Sequence, residues 1–65
     1  MIEYRRKKGR DTWHWCTNCS HWPTEDYETY CGSKDDRPSS SYSELDNECR
    51  SLEKKGNCST KDCSK

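Results

Sequence analysis

Apolar positions are sparse along this chain, and they mark out two elements. Leu45, Cys49 and Leu52 fall at i, i+4 and i+7, the spacing of one helical face, which predicts a helix over residues 44–55. Ser41 and Glu44 stand at capping-box spacing, and Ser43 is an alternative N-cap. Glu44, Asp46 and Glu48 suit the positive end of the helix dipole, Lys54 and Lys55 the negative end, and Gly56 is placed to stop the helix. A helix this short is marginal in water, so it needs a tertiary anchor. Upstream, Thr12-Trp13-His14-Trp15-Cys16 predicts a strand with Trp13 and Trp15 on one side and Thr12, His14 and Cys16 on the other. Pro23 holds Trp22 out of the helical region, and Tyr27 and Tyr30 read as a short second strand. The polar remainder divides into a basic flexible arm (1–11), a loop rich in turn formers (32–43) and a flexible tail (59–65). The folded domain is expected over 12–58.

Composition makes a conventional interior impossible. Among 65 residues, Ile2, Leu45 and Leu52 are the aliphatics beyond Met1, and there is no Ala, Val or Phe. Charged residues make up 37%, and mean hydropathy is −1.58. A domain of this size needs a dense core or a covalent or metal staple, and only the staple has material here: six cysteines, with Trp13, Trp15 and Trp22 to pack around it on Leu45 and Leu52. No run approaches the roughly 20 apolar residues of a membrane span. No Ser-His-Asp set, phosphate-cradling glycine loop or His-Glu-x2-His pattern is present, so the expectation is a protein without catalytic residues.

Which staple depends on the compartment. Met1 leads directly to Arg5-Arg6-Lys7-Lys8-Gly9-Arg10 with no apolar stretch after it, so no signal peptide is read and a cytoplasmic, reducing milieu is expected. There Cys16-Thr17-Asn18-Cys19 reads as a metal knuckle, two thiolates on a tight turn aimed at one cation. Zinc needs four ligands. A second Cys-x2-Cys does not follow, but Asp46-Asn47-Glu48-Cys49 has the same spacing at the start of the predicted helix. Carboxylate oxygen is an accepted zinc ligand, and the helix N-terminus favours a thiolate at Cys49. The expected metal set is therefore Cys16, Cys19, Asp46 and Cys49. Cys31 is the main rival for the fourth place, followed by His21 and His14; Asp46 also has a structural explanation as a dipole partner paired with Arg50. Cys58 and Cys63 are expected as free thiols in the tail. The predicted fold is a small metal-stapled α+β unit: a zinc knuckle, a short β-hairpin and one C-terminal helix in a treble-clef or zinc-ribbon-like layout, with disordered termini.

Trp13-His14-Trp15-Cys16-Thr17-Asn18-Cys19, Trp22-Pro23-Thr24, Arg37-Pro38-Ser39-Ser40, Glu44-Leu45-Asp46-Asn47-Glu48-Cys49 and Gly56-Asn57-Cys58 together resemble a set of small, uncharacterised bacterial proteins. The resemblance implies a cysteine-rich, metal-binding domain and carries no activity. In those proteins the second pair resembles a full Cys-x2-Cys, from which this chain departs at Asp46.

Net charge is zero but unevenly spread. Residues 1–10 carry five basic and one acidic side chain, residues 11–53 three basic and ten acidic, and residues 54–65 four basic and one acidic. Arg5, Arg6, Lys7, Lys8 and Arg10 are thus a candidate contact for nucleic acid or an acidic protein, against the plainer reading of a solvated arm. The expectation is a monomeric, non-catalytic zinc-binding module with no membrane partner. The competing expectation is a disulfide-stabilised secreted miniprotein with three bridges in one of fifteen pairings.

Overall fold

The computed structural model of the protein describes residues 1–33, 37–38 and 44–63. It is a small α+β fold. Strands β1 (Ile2–Lys7), β2 (Thr12–His14), β3 (Tyr27–Gly32) and β4 (Glu44–Leu45) precede one helix, α1 (Asn47–Lys54). The sheet order is β3-β1-β2-β4. β1 pairs antiparallel with β2 and β3, and the two-residue β4 adds in parallel beside β2.

Residues 2–7, read from the sequence as part of a mobile basic arm, are the strand between β2 and β3. Period-two alternation explains how so polar a segment becomes interior. Tyr4 is completely buried, opposite Tyr30 in the β1–β3 register, with ring centroids 6.0 Å apart and the planes at 67°. Tyr4 also lies 6.0 Å from Trp15, and Trp13 lies 6.2 Å from Tyr30. Edge-on and tilted aromatic pairs of this kind contribute about 0.5–1.5 kcal/mol each beyond area burial, so aromatic rings take over what aliphatics would do. The core is Tyr4, Trp13, Trp15, Cys16, Cys19 and Cys49, with Ile2, Trp22, Tyr30, Leu45, Leu52 and Cys58 packed against it. Trp13 and Trp15 are inside as expected, while Trp22 is half-buried.

The arginines of β1 lie over aromatic rings. The Arg5 guanidinium lies 4.1 Å from the Tyr27 ring centroid and 4.6 Å from that of Trp22. It donates to the Pro23 carbonyl at 2.8 Å and to Glu3 Oε2 at 2.6 Å. Arg6 lies over Trp13 at 4.9 Å and bonds Glu28 at 2.7 Å. Cation–π contacts are worth about 0.5–1 kcal/mol where exposed and more when desolvated, which is how charged residues serve as packing here.

The helix is shorter than the 44–55 expected, because its predicted first residues are the edge strand β4. Asp46 is the N-cap: its side chain accepts from Cys49 N at 2.9 Å, and its own N–H donates to Trp13 O at 3.0 Å. The alternative caps Ser41 and Ser43 lie outside the described residues. At the other end Gly56 takes φ +77. Gly56 N donates to Glu53 O, and Asn57 N to Leu52 O, the paired bonds of a Schellman stop.

The segment after α1, expected as a flexible tail, is tied down through residue 63. Thr17 N donates to Ser59 O at 2.6 Å, Glu3 N to Lys61 O and Cys63 N to Met1 O, both at 2.9 Å. Ile2 and Asp62 form an antiparallel bridge. Disulfides join Cys16 to Cys58 and Cys31 to Cys63, with Cα–Cα separations of 5.1 and 5.8 Å, inside the usual span of such bonds. The fold is stapled, but by sulfur–sulfur bonds instead of a cation.

Candidate functional site

The turn after β2 and the first turn of α1 face each other, and a cluster of His, Cys and Asp side chains lies between them. The turn is set by Cys19 N donating to Cys16 O at 3.0 Å. Asn18 joins it to the segment after the helix, donating to Asn57 O at 2.7 Å and accepting from Ser59 N at 3.1 Å. Glu48, on the first turn of α1, accepts from Ser20 Oγ at 2.7 Å and Ser20 N at 3.2 Å. Those bonds hold the Glu48 carboxyl below its ordinary range. His21 is exposed, its Nδ1 3.5 Å from Glu48 Oε1.

Inside this frame His14, Cys19, Asp46 and Cys49 each bring one polar atom within 4.8 Å of the others. Cys19 Sγ lies 3.4 Å from Asp46 Oδ2 and 3.7 Å from His14 Nδ1, and His14 Nδ1 lies 3.7 Å from Asp46 Oδ2. Burial dominates the electrostatics. It pushes the Cys19 thiol far above its ordinary range and raises Cys49 as well, despite backbone hydrogen bonds from Cys16 and Trp15 toward that sulfur. It lowers His14, with Asp46 pulling the other way. At neutral pH the cluster is two protonated thiols and a neutral imidazole, with Asp46 Oδ2 accepting from the Cys19 thiol and from Cys49 N.

This arrangement corrects the zinc expectation. Of the set Cys16, Cys19, Asp46 and Cys49, the structure brings together the last three, with His14 beside them. Cys16 is bonded to Cys58, so its sulfur is consumed. Cys31, the rival fourth ligand, is bonded to Cys63. Cys58 and Cys63, expected as free thiols, are each half of a bridge, and the free pair is Cys19 and Cys49. The cysteine-rich character holds; zinc as cofactor and the description as a zinc-binding protein do not. The reason is spatial: the polar tail returns to the sheet and carries Cys58 and Cys63 to their partners, which spacing along the chain does not reveal.

A cavity of about 640 Å³ opens beside the cluster. His14 and Asp46 lie in its wall, with Lys7, Arg10, Ser20 and Trp22 among its other lining residues. Of the five cations singled out in the sequence, Arg5 and Arg6 are engaged with aromatic rings and carboxylates, while Lys7, Lys8 and Arg10 are exposed at the β1–β2 turn. No helix among the described residues is long and apolar enough to cross a membrane. No protein-family model, curated protein or solved structure matches the chain.

Proposed function

We propose that this chain is a disulfide-stabilised miniprotein of an oxidising compartment outside the cytosol, acting as a binding module and not as an enzyme. The observation that carries the reading is the pair of bridges, Cys16–Cys58 and Cys31–Cys63, which fasten the last segment of the chain back onto the sheet. Protein disulfides of this structural kind persist where thiols are not kept reduced. Burial disfavours the thiolate at Cys19 and Cys49, the form in which a nucleophilic cysteine works, so neither is poised for rapid turnover at neutral pH, which supports the non-catalytic part.

The face best suited to contact is the β1–β2 turn, where Lys7, Lys8 and Arg10 are exposed and Lys7 and Arg10 border the cavity. An anionic partner is the matching chemistry. The test of the main reading is to fold the chain with and without a disulfide-forming environment. Non-reducing peptide mapping should recover Cys16–Cys58 and Cys31–Cys63 from the folded product, and the fully reduced chain should lack a cooperative unfolding transition. A fully reduced chain that unfolds cooperatively overturns the reading.

A further inference from the structure

The two bridges leave one covalent gap. Cys16–Cys58 joins the turn after β2 to the segment following α1, and Cys31–Cys63 joins β3 to the same segment. Neither includes a residue of α1, whose links to the sheet side are non-covalent: Asp46 N to Trp13 O at its N-cap and Glu48 to Ser20. The free thiols stand at this junction, Cys19 on the turn and Cys49 on α1, both buried and with sulfurs no more than 4.8 Å apart.

We propose that Cys19 and Cys49 are a thiol–disulfide exchange site that closes reversibly into a third bridge by reaction with a low-molecular-weight disulfide of the glutathione class. The proposal rests on the disulfide-framework reading above. Cys19 reacts first, because it lies against His14 and Asp46, which open onto the cavity, whereas Cys49 is fully buried. Cys19 loses its proton to solvent, and its sulfur attacks one sulfur of the small disulfide. That S–S bond breaks, one small thiol leaves, and Cys19 carries a mixed disulfide. Cys49 then gives up its proton and attacks the Cys19 sulfur, forming the Cys19–Cys49 bond and expelling the second small thiol. The protein loses two protons and two electrons, and the small disulfide gains both. Burial keeps the thiols protonated, so exchange is slower than at a solvated cysteine and accelerates in alkaline buffer.

The experiment takes the full chain with two bridges, in the presence of a chelator, through a series of oxidised-to-reduced glutathione ratios, followed by acid quench, intact mass and non-reducing peptide mapping. The expected result is a loss of two hydrogens, a cross-linked peptide containing Cys19 and Cys49, and reversal by reduced glutathione while Cys16–Cys58 and Cys31–Cys63 persist. Cys49→Ser should stop at a single glutathione adduct on Cys19, and Cys19→Ser should take up little. Two thiols that stay open to alkylation after denaturation overturn the proposal, as does cross-linking of either cysteine elsewhere. In a parallel run without chelator, protection of the thiols that vanishes once chelator is added also overturns it. A starting map without Cys16–Cys58 or Cys31–Cys63 marks failure of the framework reading itself, and the proposal falls with it.

Discussion

Asp46 Oδ2 receives two donors, Cys49 N at 2.9 Å and the Cys19 thiol at 3.4 Å. One oxygen therefore both caps α1 and satisfies a buried thiol. Asp46→Ala should cost about 0.5–2 kcal/mol, the usual range for a lost N-cap, with Asp46→Asn losing less because its carbonyl still accepts; urea denaturation of the two variants measures the difference. The same cluster makes stability depend on pH in two windows. His14, in reach of Asp46, His21 and Glu48, has its pKa lowered chiefly by burial from an ordinary 6.5. Its contribution is present above that value and lost as pH falls below it. Cys19 and Cys49 have theirs raised by burial from 9.0, so their contribution is present below 9.0 and lost as pH climbs past it. The denaturation midpoint should fall on both sides, with His14→Gln flattening the acid limb and Cys19→Ser the alkaline one.

Among the elements, α1 was the most legible in the sequence, since its apolar spacing and its Gly56 stop are local features. Gly56 stands at φ +77 with open space where a Cβ would be. Gly56→Ala should therefore lose about 1 kcal/mol from backbone strain alone, read as a lower thermal midpoint with the sheet unchanged. The beginning of the helix was less legible. Glu44 and Leu45 pair with Thr12 and Trp13, and that pairing across the fold outcompetes local helix propensity. β1 was missed for a different reason. Hydropathy counts Arg5 and Arg6 as solvated, whereas flat guanidinium groups stack on rings and keep their hydrogen bonds. The buried Tyr4 at alternate spacing to Ile2 and Arg6 was the available signal, and the charge run obscured it.

For the molecule as a whole, the shortage of aliphatic residues correctly demanded a staple, but the choice between metal and disulfide was not written in cysteine spacing. Cys16-x2-Cys19 suits either chemistry, and six cysteines permit fifteen pairings. What decided it was the return of residues 57–63 along the turn and β1, a path set by backbone bonds such as Thr17 N to Ser59 O and Glu3 N to Lys61 O. The bridges span sequence separations of 42 and 32 residues, and loops of that length correspond to roughly 4 kcal/mol of lost chain entropy each in the unfolded state. Domains of this size have a total stability of only a few kcal/mol. Replacing Cys31 and Cys63 together by Ser should therefore remove about 2–4 kcal/mol and leave the chain partly unfolded at 37 °C, measured by circular dichroism against the parent.

The amino group of Met1 lies 3.3 Å from Asp62 Oδ1, and the neighbouring Cys63 is bonded to β3. The first and last of the described residues, Met1 and Cys63, are thus side by side. Units built this way suit insertion into a loop of a host protein, or cyclic permutation, because joining the two points perturbs neither partner. The unit could be carried as a graft whose own cross-links, and not the host, maintain its shape.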